Sequence, residues 1–182
     1  MDVKGFYDTR TSTITYVAWD PTTRDAVVID PVLDFDPNTG RIWEESNQRV
    51  IEFVEAGRLK VHWILETHAH ADHLSGSQPL KKRYGAGVVI GAGITEVQAV
   101  FAPVFGFDPS FPTDGRQFDR LVSDGEQLLA GSLTVQAVHT PGHTPACMSY
   151  VIGDAVFTGD ALFMPDYGVG RCDFPKGSAE TL

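Results

Sequence analysis

Alternating apolar and polar residues over 11–19 predict a first β-strand near the start of the chain. An Asp-Pro-Thr-Thr turn follows at 20–23, and the apolar run 26–30 returns as a second strand, so the two form a hairpin. Apolar positions then recur with helical spacing over 42–56, and Gly57 ends this predicted helix. The first third of the chain is therefore expected to be a hairpin followed by an amphipathic helix.

The middle of the chain alternates strands with helices. The short, β-branched run 61–65 predicts a buried strand, and a short helix is expected over 78–84. A further strand at 88–90 and a helix at 94–102 follow. This alternation is typical of α/β layering.

From Asp124 onward the pattern changes to hairpins, with strands predicted at 133–138, 147–152 and 155–157. The chain should then contain two sheet-containing halves with helices outside. At 182 residues it is long enough for one domain with a substantial core, which we place at residues 1–182.

Two segments lack a periodic pattern and are predicted to be loops. Residues 31–40 carry Asp34 and Asp36, whose expected role is solvation of the loop rather than contact with a ligand. Residues 105–120 are rich in phenylalanine, glycine and proline. Two interpretations of this second segment stand equally: a binding loop or lid, and aromatic side chains that fill a satellite core.

Composition and charge exclude several classes of protein. A formal net charge of −10, without a basic patch, argues against a nucleic-acid partner. No apolar run approaches the length of a membrane span, and the start lacks the pattern of a signal peptide. Two cysteines, Cys147 and Cys172, are too few for a disulfide framework, so we expect a reducing, cytoplasmic location.

Chemistry is concentrated in the stretch Thr67-His68-Ala69-His70-Ala71-Asp72-His73, which has the form His-x-His-x-Asp-His. Three of the six histidines of the chain lie in the six positions 68–73, directly after a predicted strand. In an extended backbone His68 and His70 point the same way. Imidazoles combined with a carboxylate suit zinc, iron or manganese. The stretch therefore predicts a metal site rather than an incidental polar loop.

Two more candidate ligands follow strands in the second half. His143 lies in Thr-Pro-Gly-His-Thr after the strand 133–138, and Asp160 ends Thr-Gly-Asp after the strand 155–157. Because ligands gather beyond the carboxyl ends of strands in α/β sheets, we expect both to join the first motif at one edge. His139 is expected to bond to the backbone and hold its loop, and His62 to pack within its strand.

The three motifs, in this order and spacing, resemble those of the metallo-β-lactamase superfamily. The resemblance implies a four-layer αββα sandwich with its metal site at one edge of two sheets. It implies one metal position near His68, His70 and His143, and a second near Asp72 and His73, with Asp160 able to bridge them. Against the family pattern no later histidine follows, so the carboxyl-terminal part is expected to be missing and the second position incomplete. A sheet face left uncovered in this way should favour self-association into a homo-oligomer.

Gly168-Val169-Gly170-Arg171-Cys172-Asp173-Phe174 narrows the resemblance to the persulfide dioxygenase branch, which includes the ethylmalonic encephalopathy protein. That branch implies one Fe(II) held by two histidines and an aspartate, which here are His68, His143 and Asp160. Related chains often carry Gly-Cys-Gly where this chain has Gly168-Val169-Gly170, so any role for that thiol is absent or displaced. Arg171 is expected either to bind a glutathione carboxylate or to pair with Asp173 or Asp166.

The resemblance implies oxidation of glutathione persulfide by O2 to sulfite and glutathione, with Asp72 and His73 as catalytic residues beside the metal. A zinc-dependent thioester hydrolase similar to glyoxalase II is the alternative enzyme. A metal-binding module without turnover is the alternative of another class.

Overall fold

The structure, a computed structural model, describes residues 1–182 and contains thirteen strands and three α-helices. The strands are β1 (Asp2–Tyr7), β2 (Ile14–Trp19), β3 (Asp25–Ile29), β4 (Val32–Asp36), β5 (Arg41–Trp43), β6 (Lys60–Leu65), β7 (Leu74–Ser75), β8 (Gly87–Gly91), β9 (Arg120–Val122), β10 (Gln127–Ala130), β11 (Leu133–His139), β12 (Met148–Ile152) and β13 (Ala155–Phe157). The helices are α1 (Glu45–Ala56), α2 (Ser77–Tyr84) and α3 (Ile94–Val104). These are 12, 8 and 11 residues long, and none has the length and apolar character needed to cross a bilayer.

A six-stranded sheet has the order β1-β2-β3-β6-β8-β9. Its first three strands are antiparallel, and β2 and β3 form the predicted hairpin, whereas β3, β6, β8 and β9 run parallel. Parallel strands end at the same edge of a sheet, so the residues that follow β3 and β6 become neighbours. The histidine motif leaves β6 at this edge.

A second sheet, in the order β10-β11-β12-β13, is antiparallel throughout and packs on one face of the first. Ile29, Leu65 and Val89 from the first sheet form one core with Val135 and Tyr150 from the second. Each is buried completely. Burial of such a side chain stabilises the fold by about 1.5–3 kcal/mol, so this core holds the two sheets together.

Helices cover the opposite face of the six-stranded sheet. Val50 and Val54 of α1 pack with Val28 and Ile64, and Ile94 of α3 extends the same layer through a smaller cluster. The outward side chains of the second sheet are exposed, as at Leu129, Thr134, Gln136 and Val156. The chain therefore shows three of the four layers that the resemblance implies, in the order helices, sheet, sheet.

The prediction of a solvated loop at 31–40 is wrong for residues 32–36. Strand β4 occupies them and pairs with both β5 and β7, whereas residues 37–40 form an exposed turn before β5. Asp34 is buried there and accepts hydrogen bonds from the Ser46 backbone N–H and hydroxyl, both at 2.8 Å, and from Arg10 at 3.1 Å. It satisfies one free N–H group in the first turn of α1, which begins at Glu45 rather than at Ile42. Proline and glycine nearby concealed the strand, because turn residues dominate the local pattern.

The phenylalanine-rich segment divides between the two interpretations. Phe118 packs against the helix-side core clusters, as a satellite core requires. Phe105 and Phe107 are 65 % and 47 % exposed and form a row of ring contacts from Phe101 to Phe111. One end of the segment is therefore core, and the other is an exposed aromatic row.

Candidate metal centre

Three segments that follow strands bring the predicted ligands together. The motif loop after β6 supplies His68, His70, Asp72 and His73; the β11–β12 connection supplies His143; and a 3₁₀ turn after β13 supplies Asp160. Ring centroids lie 4.1 Å apart for His68 and His70, 4.2 Å for His70 and His73, and 4.9 Å for His68 and His143. The chain thus places all six predicted ligands around one centre.

The first group in this centre consists of His68, His143 and Asp160. Oδ2 of Asp160 lies 3.4 Å from Nε2 of His143 and 3.9 Å from Nε2 of His68, and one ligand atom from each residue falls within 4.8 Å of the others. Both histidines are buried, whereas Asp160 is partly exposed. Two imidazoles and one carboxylate leave open positions on a metal ion for a substrate.

The second group consists of His70, Asp72 and His73, whose ligand atoms also lie within 4.8 Å of one another. His70 therefore lies between the two groups and contributes to this one, rather than only to the position of His68 and His143. Nε2 of His73 is buried and has no hydrogen-bond partner. A buried nitrogen without a partner is costly, and a metal ion would satisfy it. The residues present therefore fit a divalent metal.

Hydrogen bonds fix which ring nitrogen of His68 and His143 is free to bind metal. Thr67 donates its hydroxyl proton to Asp30 at 2.8 Å, so its oxygen accepts from Nδ1 of His68 at 3.0 Å. Nδ1 of His143 donates to the Arg171 carbonyl oxygen at 2.6 Å. Each ring therefore keeps the Nε2 lone pair, which is the nitrogen directed at Asp160.

His70 is held differently, because two buried carboxylates meet its Nε2. Asp30 Oδ1 lies at 3.2 Å and Glu66 Oε2 at 3.3 Å. Burial opposes a charge on His70, but the two carboxylates outweigh it and hold the pKa of His70 well above its ordinary value. Burial likewise opposes ionisation of Asp30, yet His70 keeps the pKa of Asp30 below its usual range.

Asp30 has the backbone conformation of a residue under constraint. Its φ is +47°, a left-handed value that is costly for a residue with a side chain. Its carboxylate accepts from the Thr67 N–H at 2.7 Å as well as from the Thr67 hydroxyl. Asp30 therefore ties the end of β3 to the start of the motif loop.

Burial lowers the pKa of His68 to about 3, with the neighbouring His70 acting in the same direction. Burial also raises the pKa of Asp160, although the nearby His143 opposes this. His68 is consequently neutral in the folded protein at any pH near 7, which is the form that binds metal.

Replacing His68 with Gln should change the pH dependence of stability in the metal-free protein. The unfolded chain protonates His68 near pH 6.5, whereas the folded chain does so only near pH 3. The unfolded state thus binds more protons between these values, and the wild-type free energy of unfolding falls as pH drops below about 6.5. His68→Gln removes this loss. Relative to the wild type, its free energy of unfolding should therefore increase by about 2 kcal/mol as the pH falls from 7.5 to 5. Urea unfolding with a chelator present measures it, and identical pH profiles would contradict the assignment.

The remaining candidate residues lie outside the two groups. His139 Nε2 contacts the Pro145 carbonyl oxygen at 2.9 Å, which fits the expected loop-holding role. His62 is only partly buried and pairs with Asp25 at 2.7 Å, at the opposite end of the strands. The Arg171 side chain is exposed, bonded to Asp173 at 2.6 and 2.8 Å, and stacked over Phe174.

Sequence reasoning missed three residues of the centre. Asp30 and Glu66 contact His70, and Thr13 in the β1–β2 connection donates to Asp72 at 3.1 Å. Asp30 is the last residue of one predicted strand and Glu66 follows another, and this was the available signal. Thr13 carried none, because only the folded hairpin brings it to the motif.

A cavity of about 720 Å³ opens beside the second group. His70, Asp72 and Asp160 are among the residues that line it. Its walls come from the β1–β2 connection and from the segment after β13, with apolar side chains such as Tyr16 and Phe157. This space is large enough for a small organic molecule.

Comparison with known proteins gives a consistent family. A family profile described as "Metallo-beta-lactamase superfamily" matches residues 8–182. A probable metallo-hydrolase of Burkholderia pseudomallei is 48 % identical over all of this chain, and glyoxylase B2 of Dictyostelium discoideum is 45 % identical over 99 % of it. The mitochondrial persulfide dioxygenase ETHE1 of Bos taurus is 32 % identical over 99 % of the chain. The chain spans 65 %, 62 % and 59 % of the lengths of these relatives.

Among solved structures, the crystal structure of ETHE1 from Myxococcus xanthus superimposes with a TM-score of 0.76 and 34 % identity. The match covers all of this chain and 66 % of that one.

Proposed function

Since the chain belongs to the metallo-beta-lactamase superfamily, whose fold it has, we propose that its metal centre oxidises glutathione persulfide. One persulfide, one O2 and one water give one glutathione, one sulfite and two protons. The grouping of His68, His143 and Asp160 carries the proposal, because two histidines and one carboxylate are the ligand set of non-haem iron oxygenases. The likeness to proteins named persulfide dioxygenase ETHE1 supports it.

His68, His143 and Asp160 would hold Fe(II), which supplies the redox chemistry with O2 that no side chain can supply. The chain's own contribution is to orient these ligands. Thr67 and the Arg171 carbonyl fix the two imidazoles, so both present Nε2 without further rearrangement.

Asp72 and His73 are proposed to receive protons released in the reaction. Their side chains lie 3.3 Å apart, and Asp72 lines the cavity with about half of its side chain exposed. Burial raises the pKa of Asp72, but its neighbour His73 outweighs this effect, so the pKa lies below its usual range. Asp72 is therefore ionised in contact with solvent, and because its lowered pKa makes it a weak base, it would pass protons on to solvent rather than retain them.

Arg171 is proposed to attract a carboxylate of glutathione. Its guanidinium is exposed and lies 4.7 Å from the centre of the Phe174 ring, and that ring in turn contacts His143. A substrate carboxylate at this place would compete with Asp173 for the same donors.

Both cysteines are free, in keeping with a reducing compartment such as the cytoplasm.

A zinc-dependent thioester hydrolase is the second candidate, and a specific observation favours it. His70, Asp72 and His73 form a second group, and the unpartnered Nε2 of His73 lies within it. A zinc ion there would supply Lewis-acid activation of water. The relatives named metallo-hydrolase and glyoxylase have the higher sequence identity.

The choice of metal should separate the two reactions. With Fe(II) loaded anaerobically on the full natural chain, we expect O2 uptake and sulfite release from glutathione persulfide, with little cleavage of a lactoyl thioester. Zinc loading should abolish O2 uptake while filling the site, because Zn²⁺ has no redox chemistry. Asp160→Asn should weaken iron binding more than zinc binding. An oxygen electrode and a sulfite assay measure the outcome.

Rapid thioester cleavage by the zinc form, with no substrate-dependent O2 uptake by the iron form, would replace the dioxygenase by the hydrolase. Metal binding without either reaction would leave a binding module.

A further inference from the structure

Glu66 is a second buried carboxylate on a ring nitrogen that already has one. Nε2 of His70 is hydrogen-bonded to Asp30 at 3.2 Å, and it also lies 3.3 Å from Oε2 of the buried Glu66, an atom that has no hydrogen-bond partner. One acceptor is enough to orient an N–H group. The second carboxylate therefore needs its own explanation.

Asp30 and Glu66 have different further partners. Asp30 bonds to the backbone and hydroxyl of Thr67, at the start of the motif loop. Oε1 of Glu66 accepts from the hydroxyls of Ser75 and Ser77, at the end of the loop and the amino end of α2. Glu66 thus connects the His70 ring to α2, and together the two carboxylates hold both ends of the loop around that ring.

The hydrogen bonds of Glu66 to Ser75 and Ser77 give no reason for a charge at position 66. A Gln side chain would also accept from Ser75 and Ser77. The carboxylate is therefore expected to serve the one partner that responds to its charge, which is His70.

We propose that Glu66 is a positioning residue of the metal centre, which fixes the His70 ring through Nε2 so that Nδ1 is the nitrogen offered to metal. This inference rests on the metal centre of the proposed function. Carboxylates behind a ligating histidine orient the ring and increase its strength as a ligand. Glu66 therefore sets the affinity and geometry of the position formed by His70, Asp72 and His73.

The test uses Glu66→Gln in the full natural chain, loaded with Co²⁺ as a spectroscopic probe. We expect Co²⁺ binding at the position of His70, Asp72 and His73 to lose about tenfold to a hundredfold in affinity, measured by competition with a chelator. The visible absorption of bound Co²⁺ should shift, because the ligand field changes. The metal-free thermal midpoint should fall, because the variant removes one of the two carboxylates that stabilise the protonated His70 ring. Ser77→Ala keeps the charge but removes one anchor of Oε1, and it should give a smaller loss in the same direction.

Asp25→Asn is the matched control. Asp25 also accepts from a histidine, His62, at 2.7 Å, but at the other end of β3 from the metal centre. This control should leave affinity and spectrum unchanged. In a His70→Ala background, Glu66→Gln should have no further effect on the affinity or spectrum of bound metal, because the ring through which Glu66 acts is absent.

Unchanged Co²⁺ affinity and spectrum in Glu66→Gln and Ser77→Ala would overturn the inference, as would full additivity with His70→Ala. A parent protein that binds no metal would instead refute the proposed function.

Discussion

Replacing His143 with Ala is expected to empty the metal position that it forms with His68 and Asp160. Nε2 of His143 has no protein donor or acceptor other than Asp160, so its lone pair is free for direct coordination. Losing an outer partner of a ligand costs about tenfold to a hundredfold in affinity, and losing the ligand itself should cost more. His68→Ala should behave in the same way. Metal analysis after dialysis against a weak chelator measures the effect, with circular dichroism to confirm folding.

His139→Ala is the matched control for this prediction. His139 lies in the same strand-to-strand segment, but its ring contacts a backbone carbonyl oxygen rather than the metal group. We expect it to retain metal, with a modest loss of stability of about 1 kcal/mol from the missing hydrogen bond. Equal metal content in His143→Ala and the parent protein would refute the ligand assignment.

Gly159→Ala is expected to damage both stability and the metal centre. Gly159 has a φ of +50°, and a Cβ there would lie 2.3 Å from the Thr67 hydroxyl oxygen and 2.7 Å from the Thr67 Cβ. Thr67 cannot move freely, because it bonds to Asp30 and His68. The left-handed backbone costs about 1–2 kcal/mol for alanine, and overpacking adds about 1–3 kcal/mol. Urea unfolding should show a loss of about 2–5 kcal/mol, and metal affinity should fall as His68 is displaced.

Gly153→Ala separates the two causes. Gly153 has a similar φ of +59°, but a Cβ there would meet nothing closer than 3.7 Å. It should lose only the backbone contribution, about 1–2 kcal/mol, and keep its metal. If both variants lost the same free energy and retained metal equally, the contact between Gly159 and Thr67 would have no role in the site.

The ligands themselves were predictable because each follows an apolar run at a strand's carboxyl end. His68, His143 and Asp160 needed only strand assignment and the rule that such ends meet at one edge. The resemblance implied two metal positions, but the grouping of His70 with Asp72 and His73 was not predictable. It depends on the turn of the motif loop, which places His70 beside His73.

The residues that support the ligands were hidden for a different reason. Asp30 reaches Thr67 because β3 and β6 pair in parallel, with Ile29 opposite Leu65. That register is a long-range property, and an acidic residue at a strand end looks the same when it is solvated. The role of Asp34 was missed for the same reason, because its partners Arg10 and Ser46 lie elsewhere in the chain. Strands β9 and β10, of three and four residues, are too short to show a period.

The ligands come from both sheets, and this links metal supply to folding. His68 follows a strand of the six-stranded sheet, whereas His143 and Asp160 follow strands of the other. An ion held by all three acts as a reversible cross-link that the unfolded chain cannot form, so its binding free energy adds to the free energy of folding. At a free metal concentration one hundred times the dissociation constant, this linkage is worth about 2.7 kcal/mol. In a cell, the folded fraction of this chain would therefore report how much metal is available.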